Sequence, residues 1–364
     1  MPKTIVLTGG GSAGHVTPNL ALIPLLQEHG WDIHYIGTQD GIERSLLAGV
    51  PGVTYHAISA GKLRRYRDLR NLTDPFRVVA GCGQAGAILK QVSPRVLFSK
   101  GGFVAVPVTA AAYFRHVPVV CHESDLTPGL ANRISAKFAT TICTTFDETA
   151  VMLGAKGQAT GAPLRDTLFA GRREEGLQLC GFSGQKPVLM MTGGGLGAQA
   201  VNECLRSALP ALLPQFDIVH LCGKGNLTDI DQPGYRQFEY VEEGMPHLLA
   251  SADLVLTRAG SNTIFELLAL GKPHLLVPLP LSASRGDQLK NAESFAKKGY
   301  SMVLFQENMT PDTLTHALET LYTDRNRYIS AMTSPVQGGM QVSGGNAHRD
   351  GLRRLLGVIE QAAR

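Results

Sequence analysis

Short runs of apolar, often β-branched residues alternate with longer amphipathic stretches along the whole chain, the pattern of parallel strands joined by crossover helices. In the first half the apolar runs predict strands over 3–8, 32–37, 53–58, 95–99, 117–121 and 140–144. In the second half they predict strands over 187–192, 216–222, 253–257, 274–278 and 301–305. A helical period between them predicts helices, among them 17–29, 104–115, 198–209, 262–270 and 286–298. The halves also begin alike, with "IVLTGGGSAG" at 5–14 and "LMMTGGGLGA" at 189–198. Thr-Gly-Gly-Gly recurs 184 residues on, each time closing a strand and opening a helix. The pattern therefore predicts an α/β chain of two Rossmann-like domains. Their boundary falls near 155–165, where "GAKGQATGAPLRD" carries small residues and no apolar period. After about residue 330 the chain reads as loop, with a last helix over about 349–362.

Length and composition agree with this picture. The 364 residues suffice for two cores, and 44% hydrophobic against 18% charged residues excludes a disordered chain. Six cysteines show no CxxC or metal-type spacing, which predicts buried free thiols and a reducing cytoplasm. Met1-Pro2-Lys3-Thr4 runs straight into a strand, leaving no room for a signal peptide. The most apolar stretch, 104–121, is interrupted by Arg115, His116 and two prolines, so no membrane-spanning helix is expected.

The first loop fits GxGxxG through Gly9, Gly11 and Gly14, and Thr17-Pro18 reads as a helix N-cap followed by proline at the first helical position. Loop amides and the positive helix end suit a diphosphate. A dinucleotide site would need an acid ending the second strand, but "DIHYIGTQ" ends in Gly37-Thr38-Gln39, which argues against NAD. A tight turn that only packs helix on strand remains open. His15 lies beside this loop, where a helix end favours a neutral imidazole and a bound diphosphate a protonated one. A neutral ring could take a proton from a hydroxyl acceptor; the plainer reading is a hydrogen bond within the loop.

The second loop, Gly193-Gly194-Gly195-Leu196-Gly197, suits a second anionic group, so two phosphorylated ligands are expected. In "RAGSNTIFELL" (258–268), Glu266 either completes a capping box with Thr263 or accepts two ribose hydroxyls. Asp287, Gln288 and Asn291 read as a solvated helix end or as contacts to a sugar. "FSKGGFVAVP" (98–107) and "HESDLTPGLANRISAKFA" (122–139) each follow a strand, where open α/β sheets bind ligands. The His122-Glu123 pair lacks further metal ligands, and Asp229-Ile230-Asp231 reads as a solvated turn. Over 61–81, Lys62, Arg64, Arg65, Arg67, Arg70 and Arg77 face only Asp68 and Asp74, with Tyr66, Leu69, Leu72 and Phe76 interleaved. That stretch suits an anionic membrane surface, with a solvated loop as the alternative. No nucleic-acid module accompanies it.

"GGGSAGHVTPNLAL", "SKGGFVAVP", "HESDLTPGLANR", "GGGLGAQAVN" and "RAGSNTIFELLALGKP…DQLKNA" stand in one order over roughly 3–325. In this the chain resembles the MurG family of peptidoglycan N-acetylglucosaminyltransferases. The resemblance implies a GT-B fold, with residues 1–162 and a returning helix over 345–364 as the acceptor and membrane-docking domain, and 163–344 as the UDP-GlcNAc domain. It implies inverting transfer of GlcNAc to the C4 hydroxyl of MurNAc in lipid I, giving lipid II. His15 resembles the family's candidate base. Gly10, Gly11, Ser12, Gly14, Gly101, Gly102, Glu123, Asp125 and Asn132 would line the acceptor diphosphate site. Around the donor would stand Arg165, Gly194, Gly195, Leu196 and Gly197 on the phosphate side. Ser261, Asn262, Thr263, Glu266, Gln288 and Asn291 would complete that site, Glu266 on the ribose and Gln288 and Asn291 on the GlcNAc.

Lys62, Arg64, Arg65, Arg67, Arg70 and Phe76 would dock on the anionic cytoplasmic face of the cell membrane, peripherally. No cofactor or metal is required by the resemblance, the dependence on magnesium is left open, and other cell-wall synthesis proteins are admitted as partners. Three positions depart from the family pattern: Asp125 stands for a frequent asparagine, Gly195-Leu196 for Ser-Gln, and Asp287 for a neutral polar residue. A GT-B transferase for a glycolipid or natural product, and a non-catalytic UDP-sugar-binding subunit, remain as alternatives. The "HESDLTPGLANR" segment favours lipid I, and both glycine loops with His15 and Glu266 favour catalysis.

Overall fold

All strand pairings in the computed structural model are parallel, and they form two separate sheets. The structure describes residues 3–61, 70–194, 197–334 and 348–364, with the backbone alone for 70–75. The first sheet contains β1 (Lys3–Thr8), β2 (Trp31–Thr38), β3 (Val53–Ile58), β4 (Val96–Ser99), β5 (Val119–Glu123), β6 (Thr141–Thr144) and β7 (Gly157–Ala159). Their spatial order is β3-β2-β1-β4-β5-β6-β7. The winding reverses between β1 and β4, which opens a crevice at the carboxyl ends of those two strands. Thr8 pairs with Ser99 there, so the loops after both strands emerge side by side.

Ile5, Val6 and Leu7 of β1 have no solvent exposure, as expected of a strand covered on both faces. On one face the helix Thr17–Glu28 contributes Leu22 and Leu26, packed with Leu355 and Ile359 of the last helix, Gly351–Ala362. On the other face Leu89, from the helix Arg70–Val92, and Val108, from Ala105–Phe114, cover Val6, Ile36 and Leu97. The last helix is integral to this core, since it buries Leu352, Leu355, Leu356, Val358 and Ile359. That burial amounts to roughly 10 kcal/mol of gross transfer free energy before chain entropy is counted. The Arg354 Nε also donates to the Thr160 carbonyl at 2.9 Å.

The second sheet contains β8 (Val188–Thr192), β9 (Asp217–Leu221), β10 (Tyr235–Phe238), β11 (Leu254–Thr257), β12 (His274–Leu276) and β13 (Met302–Val303), in the order β10-β9-β8-β11-β12-β13. It repeats the winding of the first, with its reversal between β8 and β11. The chain divides into two compact units accordingly. Of the described residues, one unit takes those through Leu164 together with Asp350–Arg364, and the other takes those from Arg165 to Ser334 together with His348 and Arg349.

Several elements differ from the sequence expectation. β7 and β10 escaped it because Gly-Gln-Ala and Tyr-Arg-Gln-Phe present no apolar run. The fifth strand is displaced to Val119–Glu123, so His122 and Glu123 lie within it. Part of the basic stretch read as a surface segment is helical, because the helix Arg70–Val92 begins inside it.

Candidate active site

The first glycine loop leaves β1 with its outer face open: Gly11, Ser12, Ala13 and Gly14 are exposed and His15 is half-buried. Gly11 adopts φ +85°, and a side chain there would run into the Phe103 ring. The Gly10 N–H donates to the Gly101 carbonyl at 3.3 Å, joining this loop to the one that follows β4. A methyl at Gly102 would strike the Gly10 backbone, so the two loops touch main chain to main chain. The Tyr35 hydroxyl donates to the Gly9 carbonyl at 2.6 Å. The Gly11 N–H points inward and donates to Glu43 Oε2 at 3.3 Å, so this amide is turned away from the open face of the loop. Sequence reading missed Glu43: the acid absent from the end of β2 stands five residues after Thr38, buried under the loop.

Ser12 Oγ lies 3.0 Å from His15 Nδ1, at the end of the single 3-10 turn Ala13–His15. If Nδ1 carries the proton and donates to Ser12, the Nε2 lone pair is the basic one. Thr17 does not cap the following helix as expected. Val16 holds the N-cap position, and the Thr17 hydroxyl donates back to the Ala13 carbonyl at 3.0 Å, which steadies the turn that carries His15.

Beside it, Gly101 and Gly102 follow Lys100, a lysine only 2% exposed. Its Nζ donates to Ser124 Oγ at 2.6 Å. Burial lowers the Lys100 pKa to about 8, opposed by the charges of Glu123 and Asp125. Glu123 is pushed up by burial and then by Asp125, and pulled back by the Asn132 amide, which donates to it at 2.8 Å. Glu123 also accepts from the Asp125 and Gly129 N–H groups at 3.0 and 3.1 Å, so it ties the segment after β5 into one turn. His122 is fully buried, and burial together with the Lys100 charge keeps it neutral. Among the described residues no group of three or more side chains could hold a metal ion. Asp229 and Asp231 are exposed.

In the second unit, Gly193, Gly194 and Gly197 surround the start of the helix Gln199–Leu212, and the Gly197 N–H closes on the Gly194 carbonyl at 2.9 Å. Gly195 and Leu196 lie outside the described residues. Past β11, the helix Ser261–Leu270 begins at Ser261, Asn262 and Thr263, with Gly260 as its N-cap and no side-chain cap bond. Glu266 sits in its second turn, which removes the capping-box reading. Desolvation pushes Glu266 up to about 7, with the charge of Arg165 pulling it down. When ionised, this carboxylate can accept from two hydroxyls at once.

Gln288 and Asn291 both serve the scaffold. Gln288 Oε1 accepts from the Leu279 N–H at 3.0 Å, and the fully buried Asn291 donates to the Ala259 carbonyl at 3.2 Å. Arg258 donates to the Val277 carbonyl at 3.1 Å, so the loop after β12 is held from two sides. Asp287 pairs with Arg285 at 3.3 Å.

Lys62, Arg64, Arg65 and Arg67 lie outside the described residues, and Arg70 opens the long helix. On that helix Phe76 is 76% exposed, with Val79 also exposed. No helix among the described residues is long and apolar enough to cross a membrane. All six cysteines are unpaired thiols.

Residues 5–144 match the glycosyltransferase family 28 N-terminal domain and residues 188–344 its C-terminal domain. The UDP-N-acetylglucosamine--N-acetylmuramyl-(pentapeptide) pyrophosphoryl-undecaprenol N-acetylglucosamine transferase of Geobacillus thermodenitrificans is 52% identical, over 100% of both chains. The transferase of the same name from Clostridium tetani is 48% identical over 99% of this chain and 98% of its own. Among solved structures, MurG of Acinetobacter baumannii matches with a TM-score of 0.76 at 26% identity, over 99% of this chain and 100% of that one. The kitacinnamycin glycosyltransferase shares the fold, with a TM-score of 0.74 at 16% identity and 100% coverage of both chains.

Proposed function

The chain belongs to glycosyltransferase family 28, to its UDP-N-acetylglucosamine–N-acetylmuramyl-(pentapeptide) pyrophosphoryl-undecaprenol N-acetylglucosamine transferases, and from that premise we propose how its residues carry the reaction. The acceptor is lipid I and the product lipid II. The first glycine loop, through the Ser12 to Gly14 amides with Gly101 and Gly102 alongside, takes the acceptor's diphosphate. His15 Nε2 removes the proton from the C4 hydroxyl of MurNAc as that oxygen attacks C1 of GlcNAc. The C1–O bond to the diphosphate breaks, the configuration at C1 inverts, and UDP leaves. The second loop and Arg165 take up the charge that develops on the leaving diphosphate. Glu266 accepts the ribose hydroxyls, while Gln288 and Asn291 shape the sugar site through the loops they brace.

The observation that carries this reading is the pair of glycine loops at the two switch points, one of them ending in a histidine held by its neighbour's hydroxyl. The basic stretch from Lys62 to Arg70, continued by exposed Phe76 and Val79, docks the enzyme on the anionic cytoplasmic face of the membrane. The test is transfer of labelled GlcNAc from UDP-GlcNAc to a lipid I analogue, with a diacylglycerol acceptor run beside it. Transfer to lipid I alone is expected. Transfer to diacylglycerol alone, or UDP-GlcNAc binding with transfer to neither, overturns the acceptor assignment.

A further inference from the structure

Glu43 lies in the first turn of the short helix Ile42–Leu47 and has no solvent exposure. A buried carboxylate is costly unless donors surround it, and three do. Its Oε1 accepts from the Thr38 N–H at 2.9 Å and from the Thr38 hydroxyl at 2.6 Å. Its Oε2 accepts from the Gly11 N–H at 3.3 Å. Thr38 is itself braced from β3, because the Tyr55 hydroxyl donates to its carbonyl at 2.6 Å. A methyl group at Gly10, Gly37 or Gly41 would run into the Glu43 side chain, so glycines on three segments make room for one carboxyl group. Tyr35 holds the other side of the loop by the Gly9 carbonyl. The loop is therefore gripped by an acceptor at Gly11 and a donor at Gly9, both supplied by β2 and the helix after it.

We infer that Glu43 is the positioning residue of the first glycine loop: by holding the Gly11 N–H inward, it sets the path of Ser12 to His15, and with it the diphosphate cradle and the catalytic ring. This rests on the reading of that loop as the acceptor's. Glu43 touches neither substrate. It acts through the loop, so its loss must show in the steps the loop serves and not in the other unit's ligand.

Glu43→Gln tests this, because it keeps the volume but cannot accept at both ends. Either the Gly11 or the Thr38 contact is replaced by two opposed N–H groups. The KM for a lipid I analogue is expected to rise about tenfold to a hundredfold, the scale of one hydrogen bond to a charged group, with kcat falling alongside. The Kd for UDP should stay unchanged, and hydrogen exchange at the Gly11 amide should quicken. If the glutamine variant does not fold, Thr38→Val removes the hydroxyl contact alone and should give a smaller shift of the same kind. A rise confined to the donor's KM would keep Glu43 as the positioning residue and overturn the assignment of the loop to the acceptor. Wild-type constants for both substrates, with the Gly11 amide exchanging faster, would overturn the inference itself.

Discussion

The Lys100 ammonium donates to the Ser124 hydroxyl at 2.6 Å from a site only 2% exposed, at the carboxyl edge of the first sheet. Ser124 stands between Glu123 and Asp125, and both carboxylates raise the affinity of Lys100 for its proton. An aspartate at 125 is thus accompanied by a buried cation, which offsets its negative charge beside the loop proposed to take the acceptor's diphosphate.

Lys100→Met should leave those two carboxylates without their cation and raise the KM for a lipid I analogue about tenfold, while the donor KM stays put. Adding Asp125→Asn to that variant removes one of the excess charges and should recover most of the loss. Steady-state kinetics on the two single variants and the double variant check this. A double variant as poor as the two losses multiplied would show that the charges do not couple. In the wild type, acceptor kcat/KM should fall as pH rises through about 8, where Lys100 loses its proton, and the Met variant should lack that limb.

Glu266 predicts a second pH dependence of opposite sign. Its carboxyl group is pushed up to about 7, and only the ionised form accepts two ribose hydroxyls. With Glu266 in its proposed role, donor binding should release a proton. The KM for UDP-GlcNAc should rise by up to about tenfold per pH unit on going below 7, and level off above it. Glu266→Gln should bind the donor more weakly and show no such slope. Initial rates at pH 6, 7 and 8 decide it.

His15→Ala should lower kcat by about 10²–10⁴-fold, the range of a lost general base, with UDP-GlcNAc affinity nearly intact. Ser12→Ala, which removes the partner 3.0 Å from Nδ1, should lower kcat by a smaller factor. Weakened donor binding with normal turnover at saturation would remove His15 from the base role.

Leu355→Ala should destabilise the first unit by about 2–5 kcal/mol, because Leu355 is 1% exposed within the core shared with Leu22 and Leu26. Leu281→Ala, at a 70% exposed position, should change stability by no more than about 0.5 kcal/mol. Thermal and urea unfolding of the two variants measure the contrast.

The strands with strong apolar runs and the twin Thr-Gly-Gly-Gly turns were legible because burial on both faces of a parallel sheet leaves an unmistakable pattern. β7 and β10 were not, since pairing with an established neighbour holds a short strand that no apolar run announces. The candidate side chains were legible as residue types after strands, but not as partners. No spacing rule links Gly11 to Glu43, or Lys100 to Ser124, because the sheet brings them together across 32 and 24 residues. Gln288 and Asn291 show the same limit: their polar type near a helix start was legible, but not the backbone loops that Gln288 Oε1 and Asn291 Nδ2 tie down.

The last helix closes the core of the first unit, yet the whole second unit precedes it in the chain. During synthesis, the first sheet and the helix Thr17–Glu28 therefore precede the last helix by the whole second unit, and the sides of Leu22 and Leu26 that pack on Leu355 and Ile359 stay uncovered until that helix emerges. The second unit has its sequence before that. The nascent first unit is the one with apolar surface awaiting cover, and a chain stopped short of residue 350 has strands β1 to β7 of its first sheet without the helix that completes their core.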